Sequence, residues 1–467
     1  MTRLRVGGPL LALAAAACTA GPDYHVPEKA VARARHARQR FDAGNEPAFA
    51  QAPLPDRWWH LYEDPRLDGY VGEAIAANAD LRTADANLRR ASAVVREAET
   101  ARTIQTTISG GAIAAQAGNF NFPTVAGTSY SLGFSLAYPL DLAGGIRRGI
   151  EAARANAEAS VAARDQVRVV VAAGVTRSYA AACSANATLA ATNAVLALLR
   201  QTLTATRRLQ QGGRGTAFDV TRAQAAVEQS EATIPAIIAA RQASLYELAA
   251  LMGRVPADYP REVASCAHAP LLRVALPIGD GAALIRRRPD IREAERALAA
   301  ATAQIGVETA QLYPQVSLGG SAGVAGPFST FTSGTSFGGS IGPLVSWSFP
   351  NRAAVRARIA EAGAAADAAA AQFDSTVLDA LRQTETALSA YARELDRDRA
   401  LDAARNSAAR AADQAGRLYR FGRTDFLSLL TAQANLAAAE ATLAQSRATL
   451  IDRQIDVFLA LGGGWER

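Results

Sequence analysis

Two stretches decide how this chain folds: RLQQGGRGTAFDVTRAQ at Arg208–Gln224 and RLYRFGRTDFLSLLTAQ at Arg417–Gln433. They stand 209 residues apart, and at that offset Gly213 matches Gly422, Arg214 matches Arg423 and Gln224 matches Gln433. The same offset aligns SLGFSLAYPLDLAGGIRRGIEAARANAEAS, from Ser131, with SIGPLVSWSFPNRAAVRARIAEAGAAADAA, from Ser340. DLRTADANLRRASAVVREAETA, from Asp80, pairs with DIREAERALAAATAQIGVETA, from Asp290, after a one-residue gap. The chain therefore reads as two copies of one long element, near 80–255 and 290–461.

Each copy opens with Ala, Leu and Val at 3–4 spacing, which predicts a helix over 66–103 and again over 289–312. The texture then changes to period two. In YSLGFSLAY, Tyr130, Leu132, Phe134, Leu136 and Tyr138 alternate with small residues, and Phe337, Ile341, Val345, Trp347 and Phe349 do so in the second copy. Weaker partner strands precede them at 104–117 and 314–325, across turns rich in Gly, Pro and Asn. One β-hairpin per copy follows, at 104–140 and 314–349.

A very long helix comes after each hairpin: Ile150 to Gln211 holds no proline, and none occurs after Pro350. At 1.5 Å per residue, helices of about 60–70 residues reach on the order of 90–105 Å. The two opening stretches are where these helices stop at glycine and a second helix starts, with Thr216 or Asp425 as N-cap. They predict two antiparallel helical hairpins with tips near 212–216 and 421–425, returning over 217–252, bent at Pro235, and over 426–461. The first repeat then spans 66–260 and the second 289–467, joined by a linker at 261–288.

Composition narrows the function. Hydrophobic residues make up 49% and aromatics only 6%, a balance that suits closely approaching helices. The net charge of +6 is almost all arginine, Lys29 being the only lysine, and it is dispersed among acids along helical faces, which argues against nucleic acid as a partner. His25, His36, His60 and His268 form no metal-ligand spacing, no phosphate loop follows a strand, and no nucleophile signature occurs. Neither enzyme activity nor a cofactor is expected.

Arg3 and Arg5 precede the apolar run VGGPLLALAAAA, so residues 1–17 read as an export signal, too short to span a bilayer. No other apolar run of eighteen residues is apparent, and no membrane helix is expected. AAAC at 15–18 resembles the lipobox of bacterial lipoproteins, which makes Cys18 the lipidated residue of an anchored segment 18–65 and, with Thr19 after it, favours the outer membrane. A plain signal peptide cut nearby is the alternative. In an oxidising compartment a Cys183–Cys266 disulfide and two free buried thiols both stay open.

Strands with one apolar and one small polar face suit a wall between lipid and a watery lumen. In hydrocarbon a sheet must close, and four strands cannot close around a lumen. Several chains must contribute, most economically three. A soluble β-layer on a coiled coil is the other reading.

GPDYHVP (Gly21–Pro27), RWWHLYEDPRLDGYVGEAIAANADLRTADANLRRA (Arg57–Ala91) and RRRPDIREAERALAAATAQIGVETAQLYPQVSL (Arg286–Leu318) closely resemble the outer-membrane lipoprotein channels of the TolC-like superfamily, NodT type. The resemblance covers nearly the whole mature chain. It implies a mainly α fold with a membrane β-barrel: a homotrimer whose four strands per chain make a twelve-stranded barrel and whose helical hairpins make an α-barrel. It further implies an exit duct for drugs or other toxic small molecules, meeting a periplasmic adaptor and a resistance-nodulation-division transporter. The tip residues Gly213, Arg214, Gly422 and Arg423 would contact the adaptor. Where the family often carries aspartates at its aperture this chain has Ser428 and Thr431; Leu427 and Asp219 complete the gate candidates. A protein-secretion duct and a pore-less lipid-anchored scaffold are the alternatives.

Overall fold

The computed structural model describes residues 19–119, 122–267, 269–272, 274–330, 333–349 and 352–464; the leader, Cys18 and His268 lie outside them. In chain order, three short 3-10 turns and β1 (Phe49–Ala50) lead through a further turn, Trp58–Tyr62, to α1 (Pro65–Ala77) and α2 (Ala79–Thr100). Then come β2 (Gln105–Asn119), β3 (Phe122–Leu140), α3 (Gly145–Gln211), α4 (Ala217–Glu231) and α5 (Ile234–Leu251). The rest runs β4 (Leu276–Pro277), α6 (Gly281–Arg287), α7 (Pro289–Ala310), β5 (Gln315–Pro327), β6 (Phe337–Ser346), α8 (Arg352–Arg420) and α9 (Phe426–Ala460). The chain is mainly helical, with α3 of 67 residues and α8 of 69.

Contacts divide it into two compact units, each drawn from both sequence repeats: 19–28, 87–161 and 293–373 in one, 29–86, 162–292 and 374–464 in the other. The first unit holds a four-stranded antiparallel sheet in the order β2-β3-β5-β6. The two hairpins join through β3 and β5, from Ser129↔Pro327 to Leu140↔Val316. Across the sheet the register puts Ile108, Leu132, Phe134, Leu136, Tyr138, Leu318, Val324, Phe337, Ile341 and Val345 on one face. Ser109, Ser131, Gly133, Ser135, Ser317, Gly319, Ser321, Gly323 and Ser340 lie on the other, where Ile113 and Leu344 are the large exceptions. Ile341 is 84% exposed and Ile108 76%, so the apolar face is uncovered. β6 stops at Ser346, short of Trp347 and Phe349, because its partner begins at Gln315, just after a proline that has no N–H to give the ladder.

The second unit carries the helical hairpins and a core that sequence periodicity did not reveal. Trp58 stacks on Phe458 with ring centroids 4.5 Å apart, and Tyr62 meets the same ring edge-on. β1 and β4 pair in parallel, Phe49 opposite Leu276 and Ala50 opposite Pro277, drawing the expected linker onto the N-terminal segment. That linker also contains the short helix α6.

Three expectations are corrected. The helix expected over 66–103 is two helices broken at Asn78, whose backbone leaves the helical region at ψ 137°. The Asn78 N–H closes α1 on the Ala74 carbonyl, while its side-chain oxygen accepts the N–H groups of Asp80 and Leu81, capping α2. Its amide nitrogen donates to the Leu251 carbonyl, so one buried residue serves three elements. Second, one 18-residue window of α3 is apolar enough for a membrane span, although none was expected. Only 28% of that window is buried within the chain, so packing inside one chain does not account for its apolar character. At Pro235 the expected bend is a full break between α4 and α5.

Cys183 and Cys266 form a disulfide that ties the segment after α5 to α3 across 83 residues of sequence. Closing a loop of that size in the unfolded chain is worth about 4–5 kcal/mol on the chain-entropy model. The Cys183→Ser/Cys266→Ser variant is expected to melt at a lower temperature than the native chain, with dithiothreitol lowering the melting of the native chain and leaving the variant unmoved. Equal melting of both under oxidising conditions would show that the bond contributes nothing.

Candidate channel tips and gate

The two hairpin tips are built on the same backbone motif. At the first, Gly213 lies at φ +67°, its N–H reaches the Gln210 carbonyl at 3.0 Å, and the Arg214 N–H reaches Leu209 at 2.8 Å. At the second, Gly422 lies at φ +68°, its N–H reaches Tyr419 at 3.0 Å, and the Arg423 N–H reaches Leu418 at 2.9 Å. Both are Schellman C-caps, in which a left-handed residue lets two orphan carbonyls be satisfied. Glycine is required because a Cβ in that region costs free energy.

Each return helix then starts on a polar cap. Thr216 accepts the Asp219 N–H, and the Asp219 carboxylate accepts the Thr216 N–H at 3.2 Å, a closed capping box. Asp425 accepts both the N–H and the hydroxyl of Ser428, at 2.8 and 2.7 Å. Two gate candidates, Asp219 and Ser428, are thus engaged in caps. The Ser428 hydroxyl, followed by its main-chain N–H, holds the Asp425 carboxyl below the usual carboxylate range. Its cap is therefore complete above the ordinary aspartate pKa of about 4 and is lost only as pH falls through the depressed value. At neutral pH it does not titrate.

Packing divides α9 sharply. Phe426, Leu429 and Gln433 point inward, while Leu427, Ser428 and Thr431 share the exposed face. Phe426 joins Val195, Leu199, Leu203, Ala223 and Val227 in one cluster, with the Tyr419 ring 5.9 Å away. Gln433 Nε2 donates to Thr202 Oγ1 at 2.8 Å in the buried interior, and burial pushes the Tyr419 hydroxyl up, so it stays neutral. The repeat breaks here: Gln224, the counterpart of Gln433, instead accepts from Arg207 and donates to Glu228 near the surface.

Arg214 and Arg423 are exposed at the turns. Beside them stand two aromatics that sequence reading passed over, Phe218 at 66% exposure and Phe421 at 79%. Phe218 lies out of phase with the inward Ala223 and Val227, and that mismatch was the available signal. Arg222 covers its ring at 5.5 Å. What the tips can do chemically is present cations, aromatic faces and one apolar side chain, Leu427, on two rigid turns.

The sequence matches the family model described as outer membrane efflux protein over residues 70–254 and 282–463. The chain belongs to that family. It is 30% identical to Nodulation protein T of Rhizobium leguminosarum bv. trifolii, over 92% of this chain and 91% of that one. It is 28% identical to the toluene efflux pump outer membrane protein TtgC of Pseudomonas putida, over 100% and 96% of the two. Among solved structures, the outer-membrane channel OprN superposes with a TM-score of 0.88 at 34% identity, covering 96% of this chain and all of that one. The chain is thus an outer-membrane efflux channel of the NodT type, and Arg208–Gln224 and Arg417–Gln433 are the tips of that channel's helical hairpins.

Thr216→Ala is expected to destabilise the start of α4 by about 1 kcal/mol, and Asp425→Ala to loosen α9 in the same way. Hydrogen exchange should speed up at residues 217–220 or 426–429 respectively; unchanged protection would mean the tip packing, not the cap, holds these turns.

Proposed function

We propose that three copies of this chain enclose one pore through the outer membrane and serve as the passive exit duct of a tripartite efflux pump. The observation that carries the reading is the sheet: its four strands share one exposed apolar face, and β2 and β6 are open edges. A lipid-exposed edge leaves backbone groups unpaired, so β6 of one copy joins β2 of the next until the wall closes with twelve strands. The small polar face then lines the lumen.

Cys18 carries lipid and anchors the chain at the outer membrane. The tips meet a periplasmic adaptor through Arg214, Arg423 and the exposed Phe218 and Phe421, next to Gly213 and Gly422. Energy comes from an inner-membrane transporter of the resistance-nodulation-division class, and no chemical step occurs in the duct. The cargo is a toxic small molecule, the class to which the toluene named for the Pseudomonas relative belongs. Leu427, Ser428 and Thr431, on the exposed face of α9, narrow the resting aperture together with Asp219 of α4, and an adaptor that binds the spread tips better than the closed ones opens it.

Single-channel recording on purified protein, with the mass measured on the same preparation, tests the pore. A trimeric mass with discrete conductance steps is expected; a monomer that does not conduct would leave a lipid-anchored scaffold. Leu427→Ala is expected to raise the resting leak, and an unchanged leak would remove Leu427 from the gate.

A further inference from the structure

The residues just after Cys18 are held by one buried side chain within the sheet-bearing unit. Arg148, in the first turn of α3, has a side chain only 4% exposed. Its Nε donates to the Ala20 carbonyl at 3.2 Å and its Nη2 to the Gly21 carbonyl at 3.3 Å, to Thr19 Oγ1 at 3.5 Å and to Asp23 Oδ1 at 2.6 Å. Nη1 donates to Glu151 at 2.8 Å. The Ala20 N–H adds a bond to the Ala143 carbonyl at 2.9 Å. On α7, a Cβ at Gly306 would lie 2.7 Å from the Ala20 carbonyl, so the bare backbone lets this strap lie flat. A buried guanidinium is tolerated only when its donors are met, and here the strap meets most of them.

Beside the strap is a cleft of about 410 Å³ lined by Leu142, Ala143, Tyr313, Pro314 and Val316, with Thr19 and Ala20 at its edge. Leu142 and Tyr313 are more than half exposed although apolar. Val316 stands opposite Leu140 and belongs to the sheet's apolar face, so the cleft continues that face at its end. Thr19 lines it, and Cys18 is the residue that precedes Thr19 in the chain.

We propose that this cleft seats an acyl chain carried by Cys18, and that Arg148 is the latch that fixes Thr19–Asp23 so that the chain enters it. The inference rests on the lipoprotein reading above. The seat gives the anchor a set depth at the end of the strands, where a free tether would leave it to wander.

Cells making the full-length protein are fed a diazirine-bearing palmitate, the purified channel is irradiated, and the cross-linked peptides are mapped by mass spectrometry alongside its intact mass. Cross-links to residues 139–146 and 311–316 are expected, with a several-fold loss in Arg148→Gln and recovery of much of the signal in Arg148→Lys. Ala143→Phe, which fills the cleft and leaves the latch untouched, should lose them as well, and stands in if Arg148→Gln does not fold. An acylated Cys18 whose cross-links fall on phospholipid or elsewhere in the chain overturns the seat and leaves the anchor standing. An intact mass without acyl chains overturns the lipoprotein reading itself, and the seat with it.

Discussion

Backbone hydrogen bonding in a medium without water is the constraint on which the molecule depends. β2 and β6 each present an edge, one of 15 residues and one of 10, and among the described residues nothing pairs them. In water an edge can be tolerated; beside hydrocarbon each unmet group costs several kcal/mol. The proposed assembly meets that demand by making each chain a segment of a wall that other copies complete. The duplicated sequence follows from this economy, since each copy supplies two strands and one helical hairpin.

What was legible in the sequence was what depends on neighbours a few residues away. Period two in YSLGFSLAY fixes which side chains share a face, whatever the strand later pairs with. Glycine at the tips reports a backbone angle that nearby side chains do not set, so Gly213 and Gly422 were readable as helix ends. Less legible was whatever depends on distant chain segments. Asn78 breaks a helix of good periodicity because Leu251, far along the chain, takes its amide proton. The parallel pairing of Phe49 with Leu276 has no local signature at all, and the two cysteines of an exported chain left a disulfide and free thiols equally open. Exposure of Phe218 and Phe421 was missed because an aromatic residue is ordinarily assigned to a core.

The arginine-rich surface also acquires a meaning. Within the helical unit, Arg405 meets Glu440 at 2.6 Å and Arg447 meets Asp402 at 2.7 Å, while Asp398, pushed up by burial, lies within 3.8 Å of Arg447. Partly exposed pairs of this kind contribute little each and exchange partners readily. Between α8 and α9, where alanine covers much of the remaining surface, such pairs hold the helices side by side without locking a single register. The gating proposed above, in which the aperture widens, is better served by that surface than by interlocking large side chains.

At both tips, a Cβ added to the turn glycine would meet nothing within 4 Å. The demand at Gly213 and Gly422 is purely torsional, with no crowding behind it. The side chains around the turns can therefore be rewritten freely, as Thr216 against Asp425 and Phe218 against Leu427 already illustrate within this one chain. Shape and identity are separately adjustable at this end of the molecule, and a lineage can change which side chains its tips present while the hairpins keep their geometry.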